Sequence, residues 1–170
     1  MKDKKVLFVD LDGTLIETLS GETFPKGVWD MTFKLDVWEK IKALNPDYIA
    51  IVSNQGGIEK GLVDKQTFNL KIGYVETALA GFVDLPADAV VALFCDSNDP
   101  SDNYRKPNTG MLAFALSSLG DEAEDADESL MLMIGDASGK PGQFSDSDKK
   151  CAENFGIDYL DVEDFLALPL

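Results

Sequence analysis

The sequence predicts an α/β fold, a doubly wound, mainly parallel, Rossmann-like sheet flanked by helices. Three observations predict it. Short continuous apolar runs, at residues 6–9, 48–52 and 130–134 among others, read as strands buried on both faces, as in parallel sheets. Segments with apolar residues at helical spacing alternate with these runs. Four of the runs end in polar clusters, and ligands of open parallel sheets bind at the carboxyl ends of the strands.

Taken in order, residues 6–9 are the first strand, and it stops at Asp10-Leu11-Asp12-Gly13-Thr14. Asp is a poor strand former and Gly marks a turn, so the backbone turns here. A spacing of two at a strand end aims Asp10 and Asp12 the same way, where repulsion invites a divalent cation or a shared proton. Residues 16–30, rich in Gly, Thr and Pro, read as an ordered flap or loop. Residues 33–44 carry Val37, Trp38, Ile41 and Leu44 at helical spacing and stop at Asn45-Pro46. The strand at 48–52 runs into Ser53-Asn54-Gln55-Gly56-Gly57. A helix at 64–82 places Phe68, Ile72, Val75 and Leu79 on one face. A third strand at 89–94 leads to a polar loop at 95–108, then a helix at 109–119 with Gly120 as its stop. Residues 121–129, six of them acidic, read as a solvated loop. The fourth strand, 130–134, ends at Gly135-Asp136. A loop at 139–147, a helix at 148–155, a strand at 157–160 and a helix at 163–168 complete the pattern.

At 170 residues the chain suits one domain, 1–170, with no internal repeat. The intervals between Asp12 and Ser53 and between Ser53 and Lys106 hold core elements and loops only, so no large cap domain is expected. The absence of histidine excludes Ser-His-Asp triads, Cys-His pairs and histidine metal sites. Cys95 and Cys151 match no zinc or pairing pattern, which fits a reducing compartment. The charged start, Met1 to Lys5, leads into only four apolar residues, too few for a signal peptide, and no run approaches a membrane span. A cytoplasmic protein is expected. The net charge of −16 disfavours a passive nucleic-acid binder, although bound cations can reverse a local field.

Acid–base or metal chemistry must therefore rest on carboxylates, lysines and hydroxyls, a set suited to metal-assisted phosphoryl transfer. Asp10-Leu11-Asp12-Gly13-Thr14, Ser53-Asn54-Gln55, Lys106-Pro107 and Gly135-Asp136 resemble the four motifs of haloacid dehalogenase-like phosphatases, in order, each near a predicted strand end. The resemblance implies Asp10 as nucleophile and Asp12 as general acid/base, with its carbonyl on the metal. It implies that Ser53 and Asn54 hold the phosphoryl group and that Lys106 neutralises it. Mg²⁺ is the implied cofactor, held by Asp10, Asp12, Asp136 and a further acid.

Within that superfamily the chain resembles the 3′-phosphatase domain of polynucleotide kinase 3′-phosphatases. The similar segments include Ser20-Gly21-Glu22-Thr23-Phe24-Pro25, Tyr104-Arg105-Lys106-Pro107-Asn108-Thr109-Gly110-Met111 and Gly135-Asp136-Ala137-Ser138-Gly139-Lys140-Pro141. This implies phosphate or substrate contacts from Gly13, Thr14, Gln55, Arg105 and Lys140. It also implies a further metal-site acid at Asp148, with Asp146 as the alternative. The implied substrate is a 3′-phosphate at a nucleic-acid end, as in DNA repair. A small phosphate ester of the histidinol phosphate or sugar phosphate type is the rival, and a catalytically silent binding module a third reading. Relatives of the small-molecule kind often carry a Cys/His zinc loop before the Lys-Pro motif. Here that loop has Cys95 and no histidine, so no zinc is expected. The resemblance does not extend to a kinase domain and implies no phosphate-donor site.

Overall fold

The structure, a computed structural model, describes residues 3–170. Met1 and Lys2, part of the charged start weighed above, lie outside the described residues. The chain forms β1 (Val6–Val9), β2 (Ile16–Glu17), β3 (Thr32–Phe33), α1 (Leu35–Leu44), β4 (Tyr48–Asn54), α2 (Gly56–Glu59) and α3 (Lys65–Phe82). It continues with β5 (Val90–Cys95), α4 (Gly110–Leu119), α5 (Asp121–Glu124), β6 (Met131–Gly135), α6 (Ser147–Phe155), β7 (Asp158–Asp161) and α7 (Val162–Leu166).

Five strands form one sheet in the order β5-β4-β1-β6-β7, and every neighbouring pair is parallel. The chain winds from β1 outward through β4 to β5, then crosses back to add β6 and β7 on the other side. The winding therefore reverses at β1, and in open parallel sheets ligands bind at the carboxyl ends of the strands beside such a reversal. Alternation along β1 separates two cores. Leu7 and Val9 pack with Ile49, Ile51 and the apolar faces of α1, α3 and α7. Val6 and Phe8 pack with Ala50, Val52 and Met133 under α4 and α6. All four β1 side chains are buried, and each such burial contributes about 1.5–3 kcal/mol. This is why the strand reads as a continuous apolar run.

Local chemistry sets the helix ends. Asp64 caps α3, its carboxylate accepting from the Thr67 amide at 3.0 Å. Asn45 ends α1 in the left-handed region at φ 54°, and Gly156 ends α6 at φ 83°. The flap proves to be a hairpin: β2 and β3 pair antiparallel, and the Trp38 indole donates to the Leu15 carbonyl at 2.9 Å. Asp30 gathers the flap, accepting from the Ser20 amide and hydroxyl and the Lys26 amide.

The acidic stretch at 121–129 departs from expectation. It forms α5 and a 3₁₀ turn at Glu128–Leu130, with Ala123 and Ala126 buried in the second core. Two inward alanines outweigh the surrounding acids, which remain at the surface. Among the described residues, no large cap domain interrupts the sheet, and no helix is long and apolar enough to cross a membrane.

Candidate active site

The Asp10 amide donates to the Ile134 carbonyl at 3.0 Å, which extends the β1–β6 pairing by one residue and delivers the Asp10 side chain to the carboxyl edge. Asp136 follows β6, and Asp148 lies in the first turn of α6. Carboxylate oxygens of Asp10, Asp136 and Asp148 lie within 4.8 Å of one another. Two glycines permit this crowding. A methyl group on Gly13, whose φ is +78°, would overlap the Asp136 carboxylate, and one on Gly135 would overlap that of Asp148.

Lys106 faces this group. Its ammonium donates to Asp10 Oδ1 at 3.0 Å, Asp148 Oδ1 at 2.6 Å and the Val52 carbonyl at 2.8 Å, using all three protons. Burial works against its charge, but Asp10 and Asp148 outweigh that and hold the amine above the ordinary lysine range. Burial pushes the Asp10 carboxyl well up; the charge of Asp148 adds to this and Lys106 partly offsets it. Burial also raises Asp136; its hydrogen bond with Asp10 opposes the rise and the Asp148 charge adds to it. Three acids thus surround one ammonium in a buried place, an imbalance that a divalent cation relieves. The donors are carboxylate oxygens without nitrogen or sulfur, a set that suits a hard divalent cation.

Asp12 is not part of this group. The β1 pleat stops at Val9, so the two-residue alternation that aligned Asp12 with Asp10 does not continue to it. The repulsion felt at Asp10 comes from Asp148 and Asp136 before Asp12. The exposed Asp12 carboxylate instead accepts from Gln55 Nε2 at 2.6 Å, and the same amide donates to Ser53 Oγ at 2.8 Å. Thr14 Oγ1, which is buried, donates to Asp10 Oδ2 at 3.5 Å.

The Asn54 side chain is engaged by the Lys106 backbone. It donates to the Lys106 carbonyl and accepts from the Lys106 amide, both at 2.9 Å. Its polar atoms clamp the backbone that presents Lys106. Of the two candidate acids, Asp148 enters the cluster, while Asp146 stands at the N-cap of α6 with its carboxylate 3.4 Å from Lys150 Nζ.

Two expected contacts lie outside the cluster. Arg105 Nη1 donates to the Ser97 carbonyl at 3.0 Å and ties down its own loop. Lys140 Nζ pairs with Asp164 at 2.8 Å and lies 3.6 Å from Asp161, at the neighbouring strand end. Lys34 had no sequence signal: its ammonium reaches the Gly13 carbonyl at 3.3 Å and adds a cation beside the Asp10–Thr14 turn. Asp161 and Gln143 were also missed, because neither belongs to a motif.

A parallel sheet reversing at β1, with acids and a lysine gathered at its carboxyl edge, defines a haloacid dehalogenase-like phosphatase. The fold matches two solved structures at 21% identity. With the magnesium- and phosphate-bound D,D-heptose 1,7-bisphosphate phosphatase of B. bronchiseptica the TM-score is 0.67, covering 91% of this chain and 78% of that one. With a Mesorhizobium loti protein described as a haloacid dehalogenase-like phosphatase it is 0.66, covering 98% and 86%.

The polynucleotide kinase 3 phosphatase family model matches residues 5–166, and the chain belongs to this family of phosphomonoester hydrolases. It is 39% identical over 167 residues to the bifunctional polynucleotide phosphatase/kinase of Schizosaccharomyces pombe. That match takes in 96% of this chain and 38% of the relative, so the chain spans well under half of the relative's length.

Proposed function

We propose that the protein is a Mg²⁺-dependent phosphomonoesterase that works through an aspartyl-phosphate on Asp10 and removes 3′-phosphate from nucleic-acid ends. One observation carries the chemical reading: Asp10 ends the central strand in contact with a buried ammonium and beside two further acids. In this reading a carboxylate oxygen of Asp10 attacks phosphorus while the bond to the leaving alcohol breaks. Asp12 serves as general acid to that alcohol and then as general base to the water that attacks the phospho-aspartate, releasing phosphate and restoring Asp10. Asp12 suits the role because it is exposed, outside the three-acid group and oriented by Gln55. Lys106 holds Asp10 in place and offsets charge on the phosphoryl oxygens, and Ser53 with the turn beyond β4 cradles those oxygens. Asp10, Asp136 and Asp148, with the Asp12 carbonyl, would hold Mg²⁺, which supplies Lewis-acid neutralisation of the phosphoryl group.

The family match over residues 5–166 and the lack of a large cap support a nucleic-acid end as substrate, since a polymer end needs an open approach. A small phosphate ester is the second reading, and the net charge of −16 favours it by repelling a polyanion. The test is phosphate release, with Mg²⁺, from a 3′-phosphorylated oligonucleotide beside a panel of small esters, with Asp10→Asn as blank. Selective release from the oligonucleotide is expected. Turnover of a single small ester alone would overturn the substrate assignment.

A further inference from the structure

A second buried acid stands one strand away from the cluster. Asp161 ends β7 opposite Gly135, the last residue of β6, and is 3% exposed. Its Oδ2 accepts from Ser138 Oγ at 2.6 Å and Gln143 Nε2 at 2.9 Å, and its Oδ1 accepts from the Glu163 amide at 2.9 Å. Burial opposes its charge, but these donors outweigh the burial and hold the carboxyl below its ordinary value.

An acid that only accepts dictates the direction of everything attached to it. Because Gln143 must turn its NH₂ toward Asp161, its Oε1 faces the other way. There it accepts from the backbone amides of Ser138 at 2.8 Å and Lys140 at 3.1 Å. Ser138 lies two residues beyond Asp136. Between them, the Ala137 amide donates to Asp148 Oδ2 at 3.1 Å, and the Ala137 carbonyl accepts from the Asp148 amide at 3.1 Å. The segment joining two of the three clustered acids is therefore fixed from one side by Asp148 and from the other by the Asp161–Gln143 pair.

We propose that Asp161 is a positioning residue for the metal-binding acids: through Gln143 and Ser138 it sets the backbone that presents Asp136 and Asp148. This rests on the proposed Mg²⁺ site, and its test separates the two.

Asp161→Asn keeps the size of the side chain and the carbonyl that caps α7, but its new NH₂ meets the NH₂ of Gln143. Relieving that conflict by flipping Gln143 turns a donor toward the Ser138 and Lys140 amides, leaving them without an acceptor. Adding Gln143→Glu restores an acceptor in both directions.

The measurements are Mg²⁺ affinity by calorimetry, and amide exchange at Ser138 and Lys140 without metal. Asp161→Asn is expected to weaken Mg²⁺ binding by about tenfold, the scale of a lost outer-shell partner, and to speed exchange at both amides. The double variant is expected to return both towards wild type. Unchanged affinity and exchange in Asp161→Asn would overturn the proposal, as would a double variant no better than the single one. A wild-type chain that binds no Mg²⁺ would overturn the metal reading, and faster exchange in Asp161→Asn that the double variant reverses would then still support the role of Asp161 in positioning the segment that bears Asp136 and Asp148.

Discussion

At Asp10 the fold holds a carboxylate where burial and neighbouring acids oppose its charge. Replacing it with a neutral isostere removes that opposition while leaving the Lys106–Asp148 pair in place. Asp10→Asn is therefore expected to abolish turnover yet melt at a higher temperature than wild type in EDTA, with a smaller stabilisation by added Mg²⁺. The pH dependence has a defined sign. Asp10 and Asp136 keep protons in the folded chain at pH values where the unfolded chain, with its ordinary value of 3.8, has released them. Their contribution to stability thus falls as pH rises above about 4 through their folded values. Melts across pH in EDTA are expected to show this decline, and Mg²⁺ or Asp10→Asn to reduce it. Lys106→Met removes the buried partner of two acids and is expected to cost about 3–5 kcal/mol in denaturant unfolding.

Two side chains join distant elements around the site. Asn54, at the end of β4, satisfies both backbone polar groups of Lys106. Asn54→Ala leaves those groups unpartnered, an expected cost of about 1–3 kcal/mol, and turnover should fall because Lys106 loses its placement. Trp38 on α1 anchors the β2–β3 hairpin through the Leu15 carbonyl. Trp38→Phe is expected to cost a similar amount and to speed amide exchange at Ile16 and Phe33, which hydrogen exchange reads directly. Long periodic elements such as α3 and α4 were legible in the sequence to within a residue or two. The two-residue strands β2 and β3 were not, because an alternating pattern cannot show itself in two positions. Nor was α5, where burial of Ala123 and Ala126 overrode an acidic composition.

For the molecule as a whole, charge is the quantity that the proposed substrate must contend with. The net charge is −16, and Arg105 is the sole arginine. Each phosphate contacted on a single strand contributes roughly 0.7 to the log–log dependence of binding on salt. A strand gripped mainly at its terminal phosphate should therefore give a KM that changes little with salt, or falls as screening relieves repulsion. A steep rise in KM with salt would point instead to a basic track along the strand.

By itself the sequence determined the parallel sheet and the residue types at each strand end, while the place of β1 at the centre of the sheet came from the structure. The sequence could do so because apolar runs, turn residues and helical spacing act over a few neighbouring positions. Tertiary structure alone decided which acids meet. It chose Asp148 over Asp146, moved Asp12 out of the cluster, gave Asn54 to the Lys106 backbone and brought Asp161 behind Asp136. Those outcomes depend on side-chain direction and on partners far apart in the chain, 96 residues for Lys106 and Asp10, which no local spacing encodes.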